Sequence, residues 1–395
     1  MSGRNYDFHR FCENCRIRWL DSKGKRVNLP VVPLQKQKEQ EEQIQEMLPL
    51  LDSVMYGDID EEEMRDKVLT CLKKEGLWQL SSLDETEQNK FYEISRQFMM
   101  DARAFDENLP NEDIGQALRN VWIFLILEQL FQRPIQYHDG IFAYSMLYPY
   151  TDNFLDDQKI SKEQKKTFND WFTKRLSGET RECADASFEA VHRLVTLIEG
   201  VFNREEYPEV YDALLLIQNA QIKSLLQNKK LNEAKLLDIS IEKGGASVVA
   251  DGMLIDGHMS EEEYAFCVEF GFLLQIADDI QDMVEDQEAS HYTLTTIAKN
   301  KEEREELVHQ LLYFTELAVN TSVCPQKELL AFIKENCKQL ILFSVLKSKT
   351  KYSSRFITQI KKRLPVRVSF IKAMQERFED KNIAARFMDT ILLQH

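Results

Sequence analysis

The stretch Gly271–Ser290, GFLLQIADDIQDMVEDQEAS, holds six acids, Asp278, Asp279, Asp282, Glu285, Asp286 and Glu288, and no base. Placed on a helix at about 100° per residue, Asp282 and Asp286 fall about 40° and about 80° from Asp278, Glu285 about 20° to the other side, and Asp279 at about 100°. Phe272, Leu273, Ile276, Ile280 and Met283 take the opposite side, so an acidic stripe faces an apolar one. Like charges at i,i+4 cost a helix about 0.2–0.5 kcal/mol per pair. Between Lys243 and Lys299 there are twelve Asp or Glu and no Lys or Arg, so local sequence offers no neutralising partner. A solvated acidic face is the plain alternative. A carboxylate cluster without basic partners is also what a hard divalent cation requires, and Mg2+ takes only one or two carboxylates per site, leaving the rest of its shell to water and phosphate oxygens.

A second cluster lies in YPYTDNFLDD, Tyr148–Asp157. Asp152 and Asp156 are i,i+4 neighbours, and Asp157 adjoins them. The preceding YHDGIFAYSML is apolar and aromatic, which predicts a buried helix opening to an acidic mouth. Acids at a helix C-terminus oppose the macrodipole, so their presence there points to a purpose beyond helix stability. An acidic last turn running into a surface loop is the alternative.

The elements that must position these acids are helices. Only 13 Gly and 9 Pro in 395 residues argue for long helices, and 43% hydrophobic residues supply a core. No run shows the alternation of a strand. Helices are expected around 111–131, 138–157, 161–176, 181–202, 207–228, 231–254, 260–287, 301–320, 326–348, 351–362 and 366–393. Residues 1–34 read as irregular, 35–47 as a charged helix or linker, and 48–105 as two or three helices broken at YGDID and SSLDET, with a capping-box spacing at Ser82 and Glu85. The expected fold is all-α: a smaller helical N-terminal region over 1–105 and a large bundle over 106–395.

A net charge of −16 repels phosphate backbones, so nucleic acid is not an expected partner, and an anionic ligand needs a bridging metal. Seven scattered cysteines and a polar start, MSGRNYDFHRF, predict reduced thiols in a cytoplasmic protein. The longest apolar run, VWIFLIL at Val121–Leu127, is too short to span a bilayer.

The run GFLLQIADDIQDMVED resembles the second aspartate-rich motif of trans-isoprenyl diphosphate synthases, and Asp278, Asp282 and Asp286 also fit the ligand spacing of the terpene synthase metal triad. YTDNFLDD occupies the place of the first aspartate motif. IEKGGASVVAD, Ile241–Asp251, is similar to the kinked, small-residue helix that precedes the second motif. The resemblance to class I isoprenoid-diphosphate enzymes covers roughly residues 110–370. It implies an isoprenoid synthase-type bundle around an apolar cavity, three Mg2+ per site, and a linear prenyl diphosphate as substrate. It implies Asp152, Asp156, Asp278, Asp282 and Asp286 as metal ligands, Asp279 as a ligand or the residue orienting one, and a homodimer as an open expectation.

Other residues then acquire expected roles. Lys243 precedes Gly244-Gly245, a pair expected to break the helix, and is set to touch the diphosphate. Lys347–Arg367 carries eight Lys or Arg and no acid, so it is a segment that could close over the diphosphate, with Lys351, Arg355 or Arg367 contributing. Phe142, Tyr144, Tyr148 and Phe154 either shape the cavity and face cations with their rings or pack in the core. Gln218, Gln221 and Lys223 are polar intrusions on an apolar helix, and Leu274 and Gln275 carry the stripe of α-helical acids toward the cavity.

Departures from the family bear on the activity. Chain-elongating members need a second diphosphate site, built from a Gly-Gly-Lys-Arg-type segment and an Arg-Arg after the first motif. Here SKGKRVNLP, 22–30, lies far upstream of Asp152, and QKIS follows Asp157. These absences favour a one-substrate terpene synthase that cyclises or deprotonates the carbocation. Prenyl transfer, including a squalene or phytoene synthase-like condensation, is the second reading. A non-catalytic helical scaffold whose acids bind a basic partner is the third.

Overall fold

Long apolar runs with few Gly and Pro fold as helices here, and many begin on a side-chain cap: Asp7, Ser161, Asn232, Ser260 and Asn300 each accept from a backbone N–H of the first turn. The structure is a computed structural model. It describes residues 6–56, 85–157, 159–180, 182–183, 185–320 and 323–379, apart from the side chains of 47–56, 85, 156, 375 and 377–379. Among the described residues the chain is all-α, without a β-strand. In chain order the helices are α1 (Phe8–Asp21), α2 (Leu34–Tyr56), α3 (Glu85–Phe105), α4 (Asn111–Leu130), α5 (Asp139–Asp156), α6 (Lys162–Ser177), α7 (Glu189–Val201), α8 (Pro208–Ser224), α9 (Glu233–Asp256), α10 (Glu261–Gln281), α11 (Met283–Glu288), α12 (Lys301–Ala318), α13 (Lys327–Lys347), α14 (Ser354–Lys361) and α15 (Val368–Glu379). No described helix is long and apolar enough to cross a membrane.

The chain divides into two compact units, each drawn from several stretches. One comprises Met1–Val27, Ile126–Arg133 and His138–Ile357; the other comprises Asn28–Leu125, Pro134–Tyr137 and Thr358–His395. Residue 105, the expected boundary, lies inside the second of these. In that unit the charged segment at 35–47 is helical, within α2. Gln37 donates to the carbonyl of Leu364 at 2.9 Å. The breaks expected at 56–60 and 81–86, with the capping box on Ser82, fall in or at the edge of 57–84, outside the described residues.

The first unit carries both acidic clusters. Its centre is the pairing of α9 with α10, against which α1, α8, α12 and α13 also pack. The expectation of a helix break at Gly244-Gly245 is corrected: α9 runs unbroken from Glu233 to Asp256. The glycines serve close approach instead. A Cβ on Gly244 would collide with the carbonyl of Gly271, and one on Gly271 with the carbonyl of Gly244. The two backbones touch where neither residue has a side chain. Arg133 pins the turn between the two helices, bonding Asp256 and Glu263, each at 2.9 Å.

The opening residues are also more ordered than the sequence suggested. α1 buries Phe11, Cys12, Cys15 and Trp19 on one face, and Trp19 stands edge-on to Phe272 and Phe314 at 5.1 and 5.6 Å. Its arginines hid this spacing by giving the segment a polar composition. They are satisfied by distant acids: Arg18 by Glu269 at 2.5 Å and Arg10 by Glu261 at 2.9 Å.

Candidate functional site

Burial fixes how α10 is rotated. Phe272, Leu273, Ile276 and Ile280 are fully buried, each worth about 1.5–3 kcal/mol when removed from water. That leaves Asp278 exposed at the last turn. The helix expected to run through 260–287 is in fact two: α10 ends at Gln281, Asp282 sits at the junction with φ −95° and ψ 10°, and α11 restarts at Met283. The cause is the company the last carbonyls keep. Thr295 Oγ1 donates to the carbonyl of Asp279 at 2.8 Å, and Ser348 Oγ to those of Ile280 at 2.8 Å and Gln281 at 3.1 Å. The N–H groups of Asp282 and Asp286 still reach the carbonyls of Asp278 and Asp282, at 2.9 and 2.8 Å, so the interruption is a bend and the acids stay together.

Asp279 behaves unlike its neighbours. It is 6% exposed, Oδ1 accepts from Gln275 Nε2 at 2.8 Å, and the buried Oδ2 receives no hydrogen bond. Burial pushes its carboxyl up to about 7; the Gln275 bond and the Lys243 charge pull down, and Asp278 and Asp286 push up further. Half-buried Asp286 is pushed up to about 6, by burial first and then by Asp282 and Asp278, against Lys243. The four aspartates and Lys243 therefore share one electrostatic locality. On the neighbouring turn of α9, Glu242 takes the ammonium of Lys223 from α8 at 2.5 Å.

Neutralising charge comes from far along the chain. Lys347 Nζ lies 2.8 Å from Asp282 Oδ1 and 3.4 Å from Glu285 Oε1, and Lys351 donates to Gln287. The basic segment read from the sequence does reach the acidic run, through Lys347, a residue not singled out, and through Lys351. Its position at the end of α13, the first basic residue of the run, was the only available signal. The other two named residues stand elsewhere. Arg355 is exposed at the start of α14. Arg367 lies in the second unit, where Glu41 takes its guanidinium and its backbone N–H and is held below the usual carboxylate range by it.

On α5, His138 caps the N-terminus by accepting from Gly140 N at 3.1 Å. At the other end Asp152 accepts from Thr151 Oγ1 at 3.2 Å and from Gln221 Nε2 of α8 at 3.4 Å. The Asp156 side chain lies outside the described residues. Half-buried Tyr144 donates to the carbonyl of Ser247 on α9 at 3.3 Å. Phe142 is core, and Tyr148 is 47% exposed. Phe154 packs on Phe168 and Phe188 at 4.9 and 5.9 Å. The Gln218 amide is committed to Asn169 at 3.1 Å. Leu274 and Gln275 are half-buried on α10.

The site offers carboxylate oxygens, one of them buried and lacking a donor. Among the described residues no three His, Cys, Asp or Glu converge to hold a metal on their own. Carboxylate oxygens are the donors that a Mg2+ ion with a shell completed by water and phosphate oxygens would use. No protein-family model matches the chain, and no curated protein matches it.

Proposed function

We propose that this chain is a Mg2+-dependent terpene synthase that ionises a linear prenyl diphosphate and cyclises or deprotonates the resulting carbocation. One observation carries the reading: Asp279 Oδ2 is buried without a donor beside Asp278 and Asp286. Asp278, Asp282 and Asp286, with Asp152 and Asp156 from α5, would give one or two carboxylates to each of several Mg2+ ions whose shells water and diphosphate oxygens complete; Asp279, fixed by Gln275, would orient the cluster. When bound, the metal supplies Lewis acidity that carries the negative charge of the departing diphosphate. Lys243 adds a positive charge on the same side and would grip a phosphate oxygen.

The test is turnover. Purified chain is incubated with Mg2+ and prenyl diphosphates of ten to twenty-five carbons, singly and then with isopentenyl diphosphate. Diphosphate and hydrocarbon or alcohol from a single substrate, lost in Asp278→Ala and Asp282→Ala, are expected. Longer diphosphates formed only in the paired reactions would replace this reading with prenyl transfer. Full diphosphate release by both variants would remove these acids from the reaction.

A further inference from the structure

Apolar side chains gather on the surface at the end of α8. Ile222, Leu225 and Leu226 are 37, 44 and 42% exposed. Their i, i+3, i+4 spacing, through α8 and the 3-10 turn Leu225–Asn228 that follows it, puts the three on one face. The turn is anchored. Gln227 is buried, its carbonyl accepts from the Tyr292 N–H at 2.8 Å, and its side-chain amide donates to the Tyr292 carbonyl at 3.0 Å. A fixed backbone therefore holds Leu225 and Leu226 out in water. Gln221, which meets Asp152 at 3.4 Å, stands about 100° round α8 from Ile222, so that acid lies to the side of the patch.

The charge here runs against the rest of the chain. The sequence has 66 acids in 395 residues, yet none falls between Ala213 and Asn232, where Lys223, Lys229 and Lys230 lie. Lys223 is committed to Glu242 of α9. Lys229 and Lys230 are exposed and in no ion pair among the described residues. The Lys229 N–H donates to the carbonyl of Leu226 at 3.0 Å, which keeps the two lysines next to the leucines. We propose that this face docks on an anionic lipid bilayer, with Ile222, Leu225 and Leu226 entering the headgroup boundary and Lys229 and Lys230 meeting lipid phosphates. In a two-fold dimer through the same face the lysines would meet each other, so the charge argues for a bilayer over a second copy of the chain. No described helix crosses a membrane, so the docking is peripheral. The proposal is independent of the reading of the acidic cluster.

The experiment is sedimentation of the full chain with phosphatidylcholine vesicles and with vesicles that also contain phosphatidylserine. Wild type is expected to bind the anionic vesicles and to come off them as salt is raised. Leu225→Ser combined with Leu226→Ser is expected to weaken binding about tenfold or more, since each buried methylene favours the bilayer. Lys229→Gln and Lys230→Gln are each expected to weaken it about fivefold and to leave binding to the neutral vesicles unchanged. Leu340→Ser, at an exposed leucine on α13, is expected to change nothing. All these side chains are exposed, so the variants keep the fold, which an unshifted melting temperature checks. No binding by wild type overturns the proposal, as does binding indifferent to Leu225 and Leu226 or equally weakened by Leu340→Ser. A concentration-dependent dimer of wild type that the double leucine variant dissociates also overturns it, and gives the face to a second copy.

Discussion

Glu199 and Asp279 are both carboxylates partly or wholly withdrawn from water in the same unit, and the fold treats them oppositely. Glu199 on α7 receives Arg175 through two bonds, at 2.7 and 2.6 Å, and Arg204 at 2.8 Å. Arg175, 1% exposed, also donates to Thr196 and His192. Burial raises Glu199, but the two arginines outweigh it and hold its pKa below the usual carboxylate range. Burial lifts the Asp279 carboxyl to about 7, against one amide from Gln275 and the Lys243 charge, with Asp278 and Asp286 pushing it up further. A carboxylate kept for structure brings its counter-charges with it. One left short of them within a cluster of its own kind is the group that a cation from outside the chain, if one binds, would satisfy.

The Glu199 network gives the largest expected effect. Glu199→Ala strands Arg175 in the core and is expected to cost about 3–5 kcal/mol, read as a lowered urea midpoint. A loss below about 1 kcal/mol would mean that the arginines repack and the network is not structural. Next comes the seam supporting the acidic helix. Gly271→Ala drives a methyl into the carbonyl of Gly244 and should cost about 1–3 kcal/mol.

At the other end the sign reverses. Asp279→Asn keeps an acceptor for Gln275 and removes a poorly compensated buried charge, so it should stabilise the chain at pH 7.5 by about 1 kcal/mol while weakening Mn2+ binding. Destabilisation by this substitution would place Asp279 with Glu199. The smallest effect is in acid. Glu199 has a folded pKa below its unfolded one, so its contribution is present above about pH 4.5 and is lost as pH falls through the folded value. Unfolding curves from pH 6 to pH 3 should show a shallower decline for Glu199→Gln than for wild type.

The parts that could be read from sequence are those governed by neighbours in the chain. The apolar spacing of Phe272, Ile276 and Ile280 set the rotation of α10 and hence the exposure of Asp278. The bend at Asp282 was hidden because its causes, Thr295 and Ser348, come from other segments. Gly244-Gly245 looked like a helix break because the partner that explains it, Gly271, is on the next helix. The acids appeared to lack counter-charge because Lys347 arrives from α13. Arg367 looked available because Glu41 lies near the other end of the chain. Helical periodicity travels with the sequence, whereas charge pairing and backbone approach are properties of what folding brings together.

Calorimetric titration of inorganic diphosphate into the full chain, with and without Mg2+, asks whether the acidic cluster binds diphosphate through a metal. The account predicts binding that requires Mg2+ and is lost in Asp278→Asn and Asp282→Asn. No binding with Mg2+ present, or binding that is indifferent to the metal and to both substitutions, would contradict it.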